Sequence, residues 1–162
     1  MSFSTITGKI DGLITAWVPL LEKLPENILA DKRNWQNRTI KQVLGHMIDS
    51  ASNNHQRMVR LQYAKKLIFP DYRQDNNLWI AIQDYQHEDW KILVQLWKFY
   101  NLHMIHLIHS LDIACLDNYW NDFEGTKVTL NQMVEGYLWH LELHLKEIQV
   151  VLEQNNIPVN LT

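Results

Sequence analysis

Apolar residues recur at three- and four-residue steps in four long stretches, the period of helices with one buried face. Ile6, Ile10, Leu13, Ile14, Trp17, Leu21 and Leu24 predict a first helix from about Ser4 to Leu24. Pro19 falls inside that pattern, so a kink or an early end is expected near Val18. Pro25 to Asn34 reads as a turn, and the polar run Gln36-Asn37-Arg38-Thr39 offers N-caps for a second helix. That helix is expected from about Thr39 to Lys66, on the stripe Ile40, Val43, Leu44, Met47, Ile48, Ala51 and Leu61.

Leu67 to Asn77, with Pro70 and several turn formers, reads as a connection, and Leu78 to Tyr85 as one or two short helical turns. The third long helix runs from about Glu88 to Leu111, with Leu93, Leu96, Trp97, Tyr100, Met104, Leu107 and Leu111 as its core stripe. Ile92, Phe99, Leu102 and Ile105 lie off that stripe, so this helix is apolar on more than one side. Asp112 to Val128 is a second connection, with a turn or short hairpin at Asn121 to Thr126. The fourth helix, Leu130 to Leu152, carries Leu130, Val134, Tyr137, Leu141, Leu145, Ile148 and Leu152 on one face. Thr129 and Gln132 have the spacing of a capping box at its start. No repeat or linker divides the chain. The expectation is one domain over residues 1–162, an all-α four-helix bundle.

Composition narrows the function classes. A formal net charge of -3 gives no electrostatic footprint for nucleic acid. A lone cysteine, Cys115, excludes an internal disulfide and suits a reducing cytoplasm. No run of about 18 apolar residues predicts a membrane span, and the N-terminus does not read as a signal peptide. Most of the tryptophans should be core, with Trp17, Trp97 and Trp35 expected between helices. Trp139 instead faces away from the fourth helix's stripe, beside Leu143 and Val150. A second apolar strip there points to a partner, most simply another copy of the chain.

The chemistry lies with the histidines. His140 and His144 are four residues apart, and at about 100° per residue they share one edge of the fourth helix. Two such imidazoles can hold one metal ion, the helical half of many zinc sites. A third ligand must come from another helix. His46 heads a polar row with Ser50, Asn53 and Arg57, and it reaches the right height if the second and fourth helices run antiparallel. His103 is the rival, at the edge of the third helix's stripe, with His106 and His109 pointing further out. His55 lies half a turn from His46, so one helix does not aim both at one ion, and His87 at a helix start reads as a cap.

Trp35, the run Thr39-Ile40-Lys41-Gln42-Val43-Leu44-Gly45-His46-Met47-Ile48-Asp49-Ser50, then Val128-Thr129-Leu130, Tyr137-Leu138-Trp139-His140 and His144 together resemble the DinB/YfiT-like superfamily. The resemblance spans nearly the whole chain. It implies a bundle of up-down-down-up topology and a divalent metal, zinc or nickel, held by His46, His140 and His144. It also implies a homodimer, and either a metal-dependent hydrolase or a transferase that uses a small cytoplasmic thiol. Some relatives carry extra histidines where this chain has Leu143 and Glu147. Glu147 lies on the side of His144 and reads as an acceptor that orients an imidazole N–H, or else as a solvated carboxylate.

Three neutral imidazoles and an open position suit either activation of water or binding of a thiolate. Asn53 and Tyr137 are expected to line the pocket and orient a small-molecule substrate, though neither is a strong base. Asp49 points away from the polar row and reads as a structural partner at the surface. The alternative to an enzyme is a metal-binding or stress-response bundle whose dimer surface is its function.

Overall fold

The computed structural model describes residues 1–67, 74–122 and 124–160. Its long helices are α1 (Phe3–Leu21), α3 (Ile40–Leu61), α5 (Trp90–His109) and α6 (Leu130–Gln154). Between them lie α2 (Glu26–Asp31), α4 (Asn76–Ile82), a 3-10 turn at Ile113–Cys115, and the strands β1 (Lys66–Leu67), β2 (Tyr119–Asn121) and β3 (Lys127–Thr129). Most of the connection expected over Leu67 to Asn77, and Phe123 of the expected hairpin turn, fall outside the described residues.

The helix starts are written in the sequence. Thr39 accepts from the Gln42 N–H while the Gln42 side chain accepts from the Thr39 N–H, a complete capping box for α3. Thr129 and Gln132 make the same exchange at α6. Asp89, rather than His87, caps α5 by accepting from the Ile92 N–H; His87 instead meets Asp84 at the surface. Pro19 does not end α1, because it sits in the last turn with its ring exposed. The turn expected over Pro25 to Asn34 holds α2, whose Ile28 and Leu29 are buried. Six residues are too few for a helical period to register.

End-to-end contacts fix the direction of each long helix. Trp90 Nε1, at the start of α5, donates to the Leu21 carbonyl at the end of α1 at 2.7 Å, so these two are antiparallel. Lys41 Nζ donates to the Glu88 carbonyl and Gln62 accepts from the Asp112 N–H, so α3 and α5 are parallel. Asn118 donates to the Leu61 carbonyl and accepts from the Leu130 N–H, which joins the end of α3 to the start of α6 and makes them antiparallel. The Met1 ammonium meets Glu135, so α1 and α6 are parallel. The order is up, down, down, up. Each helix packs mainly on two others, with α1 and α3 both wedged between α5 and α6.

The core fills the axis with Ile10, Trp17, Leu44, Met47, Trp97, Met104, Leu141 and Leu145, all nearly inaccessible. At the end where α3 stops and α6 begins, β2 pairs antiparallel with β3 and parallel with β1. The β2–β3 turn is closed by Asp122, which accepts from the Glu124 and Thr126 N–H groups, and by Gly125 at φ 83°, a region open to glycine.

Two expected core residues are not core. Trp35 is 80% exposed, because it lies in the loop before α3, where no helical face aims it inward. Leu96 of α5 is 45% exposed and joins Ile92 and Phe99 on an outer apolar face. Trp139, Leu143 and Val150 of α6 also stand exposed, as their position off the stripe predicts.

Candidate metal centre

His46 lies on α3 seven residues past its cap, and His140 and His144 lie on consecutive turns of α6. Because α3 and α6 are antiparallel, the three reach the same height. Their ligand atoms all lie within 4.8 Å of one another. The His46 ring is centred 5.3 Å from His140 and 4.8 Å from His144, while His140 and His144 are 4.4 Å apart. The Nε2 atoms of His140 and His144 face each other at 3.1 Å. With metal–nitrogen bonds of about 2.0–2.1 Å, that spacing subtends about 100° at a shared cation.

The electrostatics suit coordination. Burial, then the neighbouring His144 and His140, then Arg38, lower the His46 pKa to about 3. Burial and His144 lower that of His140 to about 4. Both rings are therefore neutral at physiological pH and present lone pairs. His46 Nδ1 and His140 Nδ1 are buried with no hydrogen-bond partner among the described residues. The Nε2 atoms of His140 and His144, turned toward one another, are placed to share a cation between them.

The Glu147 side chain turns out to be buried rather than solvated. Its Oε2 meets His144 Nδ1 at 3.0 Å and accepts from Asn34 Nδ2 at 3.1 Å, while Oε1 accepts from Trp35 Nε1 at 3.2 Å. Held this way it fixes the His144 ring plane and leaves Nε2 for the centre. Asn34 and Trp35 escape sequence reasoning as partners because they sit in a loop with no period to read.

The α3 side of the centre is braced by residues of Leu78 to Tyr85, the stretch expected to hold short helical turns, a role its pattern does not announce. The Tyr85 ring lies against Gly45, where a Cβ would come within 2.2 Å of it. The Tyr85 hydroxyl donates to Asp49 Oδ1 at 2.8 Å, and Gln83 Nε2 donates to the same oxygen at 2.8 Å. His46 is thus flanked on the same helix by two residues pinned to one tyrosine. Asp49 has the structural role expected of it, but it is buried rather than at the surface, and burial raises its pKa against the pull of those two hydrogen bonds.

The remaining sequence candidates go elsewhere. Tyr137 is in the core, its hydroxyl donating to Asn101 Oδ1 at 2.7 Å, which removes it from any cleft wall. Asn53 is buried and its carboxamide donates to Gln74. His103 is not brought to the centre and lies instead against His55. Separate clefts reach His144 and His140. One of about 580 Å³ opens beside His144 and Glu147 and is lined by Trp35, Leu143, Val150 and Val151. A smaller one of about 260 Å³ is lined by His140, Ser50, Asn54, Trp120 and Trp139.

A family model described as the DinB superfamily matches residues 10–148. The chain belongs to the DinB superfamily. Among similar proteins, this DinB-superfamily chain is 24% identical over 165 residues to a Bacillus mycoides (strain KBAB4) protein named "Putative metal-dependent hydrolase", covering 94% of this chain and 91% of that one. Its fold matches that of YfiT from Bacillus subtilis with a TM-score of 0.84 at 17% identity, over 98% of this chain and 91% of YfiT. YfiT is described as a probable metal-dependent hydrolase with an unusual four-helix bundle topology. At that identity the likeness establishes the fold, and the direction of the four helices here agrees with the up-down-down-up order that the DinB resemblance implies.

Proposed function

We propose that His46, His140 and His144 hold one divalent cation, zinc or nickel, and that the chain is a metal-dependent hydrolase of a small molecule. The observation that carries this reading is the convergence of three imidazoles from two helices, with ligand atoms within 4.8 Å of one another. Three neutral ligands leave the cation its full charge, so it supplies Lewis acidity and lowers the pKa of a bound water or thiol.

The protein's own residues do the rest. Glu147 holds the His144 tautomer and is itself held by Asn34 and Trp35. Asp49 is buried, holds Tyr85 and Gln83 through Oδ1 and lines neither cleft, while both Glu147 oxygens already have partners, so neither carboxylate is placed to take a proton from substrate. A site without a free general base relies on the acidity the cation confers. The same property serves a small thiol, and transfer to or from such a thiol is the form of the reaction to be separated from hydrolysis.

The working unit we propose is the single domain 1–162, paired as a homodimer through the exposed strip Trp139, Leu143 and Val150. No helix among the described residues is long and apolar enough to cross a membrane. The lone Cys115 supports a reducing compartment, the cytoplasm.

Elemental analysis after loading with zinc or nickel tests the centre. About one tightly held equivalent is expected per chain, lost in His140→Ala. A protein that binds neither ion overturns the reading. With the metal in place, a panel of esters and amides, and of electrophiles supplied with a small thiol, separates the reactions. Turnover only with thiol assigns a transferase; turnover of neither class leaves a non-catalytic metal-binding bundle.

A further inference from the structure

Two histidines that the centre does not use supply a second arrangement. His55 on α3 and His103 on α5 face each other through their Nε2 atoms at 3.4 Å, with ring centroids 5.2 Å apart and planes tilted by 53°. A hydrogen bond of that length is at the weak end for nitrogen donors, whose preferred separation is about 2.9–3.0 Å. A cation fits the gap better. With metal–nitrogen bonds of about 2.0–2.1 Å, a 3.4 Å separation subtends about 110° at the ion, close to the tetrahedral angle that zinc adopts. The pair repeats the Nε2-to-Nε2 arrangement of His140 and His144, but across two helices rather than along one.

We propose that His55 and His103 form a second binding site for a divalent transition ion of the zinc class, a clamp between α3 and α5 that is separate from the three-histidine centre. His55 is nine residues from His46, about 13 Å along the helix at 1.5 Å per residue, so the two sites do not share an ion. The His55 ring is half-buried and meets the Tyr100 ring edge-on at 6.1 Å and 86°, which holds its plane. Burial and the nearby His103 lower the His55 pKa, which keeps that ring neutral and able to coordinate. His103 is exposed, so water completes the coordination sphere. Two protein ligands in place of three make this the weaker site, filled after the centre. Because α3 and α5 are separate helices, an ion here also ties them together, and binding must therefore raise the stability of the bundle.

Equilibrium dialysis of the full chain against zinc chloride at pH 7.5, followed by elemental analysis, tests the assignment. Wild type should take up a second, weaker equivalent. His103→Ala and His55→Gln should each lose that equivalent and keep the first, and His140→Ala should keep the second. Zinc should also raise the Tm of His140→Ala, by about 5–10 °C at a hundredfold excess over Kd, and should leave the Tm of the His140→Ala/His103→Ala double variant nearly unchanged. Equal uptake by wild type and His103→Ala overturns the proposal, as does a wild type that stops under excess zinc at one equivalent, the one lost in His140→Ala. The first site's occupancy is read separately in each variant, so failure of the clamp is distinguishable from failure of the centre.

Discussion

Gly45→Ala is the substitution that most directly tests how α3 is held beside the centre. The added Cβ would lie 2.2 Å from Tyr85 Cδ2, 2.3 Å from Cγ and 2.6 Å from Cε2. Carbon atoms in contact prefer about 3.5–4.0 Å, so the ring must withdraw by more than about 1 Å. Tyr85 is buried and its hydroxyl sits 2.8 Å from Asp49, so withdrawal strains the packing and breaks that bond together. Overpacking costs about 1–3 kcal/mol and a buried polar group left without its partner a further 1–3 or so. Alanine's better helix propensity returns about 1 kcal/mol. A net loss of about 3 kcal/mol is expected, equivalent to a fall in Tm of about 6–12 °C for a chain of this size. Urea unfolding of the metal-free protein measures it through the midpoint at constant m. Tyr85→Ala completes a double-mutant cycle. Alone it should cost about 3–5 kcal/mol, and adding Gly45→Ala to it should cost little more, because the clash has gone. A Gly45→Ala protein as stable as wild type, or more stable by the propensity term alone, would refute the claim that Tyr85 packs on the helix backbone there.

Other contacts carry outcomes of their own. His46 and His140 have pKa values lowered to about 3 and about 4, below the value of about 6.5 expected when unfolded. The unfolded chain therefore binds more protons between those limits. Metal-free protein should keep its full stability above about pH 6.5 and lose a few kcal/mol as pH falls toward 3; a flat unfolding midpoint across that range contradicts the burial of neutral imidazoles. Glu147→Gln should weaken metal binding by about 10–100-fold in chelator competition with the fold retained, since Glu147 orients His144; unchanged affinity removes it from that role. Trp90→Phe deletes the 2.7 Å bond to the Leu21 carbonyl, which keeps the Leu24 N–H, so the loss should be nearer 1 than 3 kcal/mol by urea unfolding. Thr129→Ala removes half of a capping box and should cost about 1 kcal/mol by the same assay.

The long helices are legible in the sequence because each is long enough to display its period, and two of them carry a complete capping box, one at the expected Thr129 and one at the last residue of the polar run before α3. The three histidines are legible for a related reason. Two lie one turn apart on a helix, and the third needs only an antiparallel neighbour to meet them. What escapes belongs to short or aperiodic stretches. Nothing in the spacing of Asn34 and Trp35 ties them to a glutamate more than a hundred positions away, and the indole of Trp35 is exposed where a packing role is expected. Nothing around Gly45 marks it as the bed for an aromatic ring from the segment before α5. Tyr137 shows the opposite error. Its hydroxyl suggests a substrate-facing group, yet its position on the apolar stripe already places it in the core, where Asn101 satisfies it. Helical phase outranks side-chain polarity at such a position.

Parallel neighbours cannot be joined by a tight loop. Because α3 and α5 point the same way, the chain leaving Leu61 must travel back the full height of the bundle before Trp90 can begin the next helix. The return leg carries Gln83 and Tyr85, and they come to rest against the helix that bears His46. A bundle with alternating directions would have no such backstop, since a hairpin turn would leave that flank bare. The detour in connectivity thus acts as a splint, and replacing it with a flexible linker of the same length should loosen the imidazole-bearing helix even with every histidine intact.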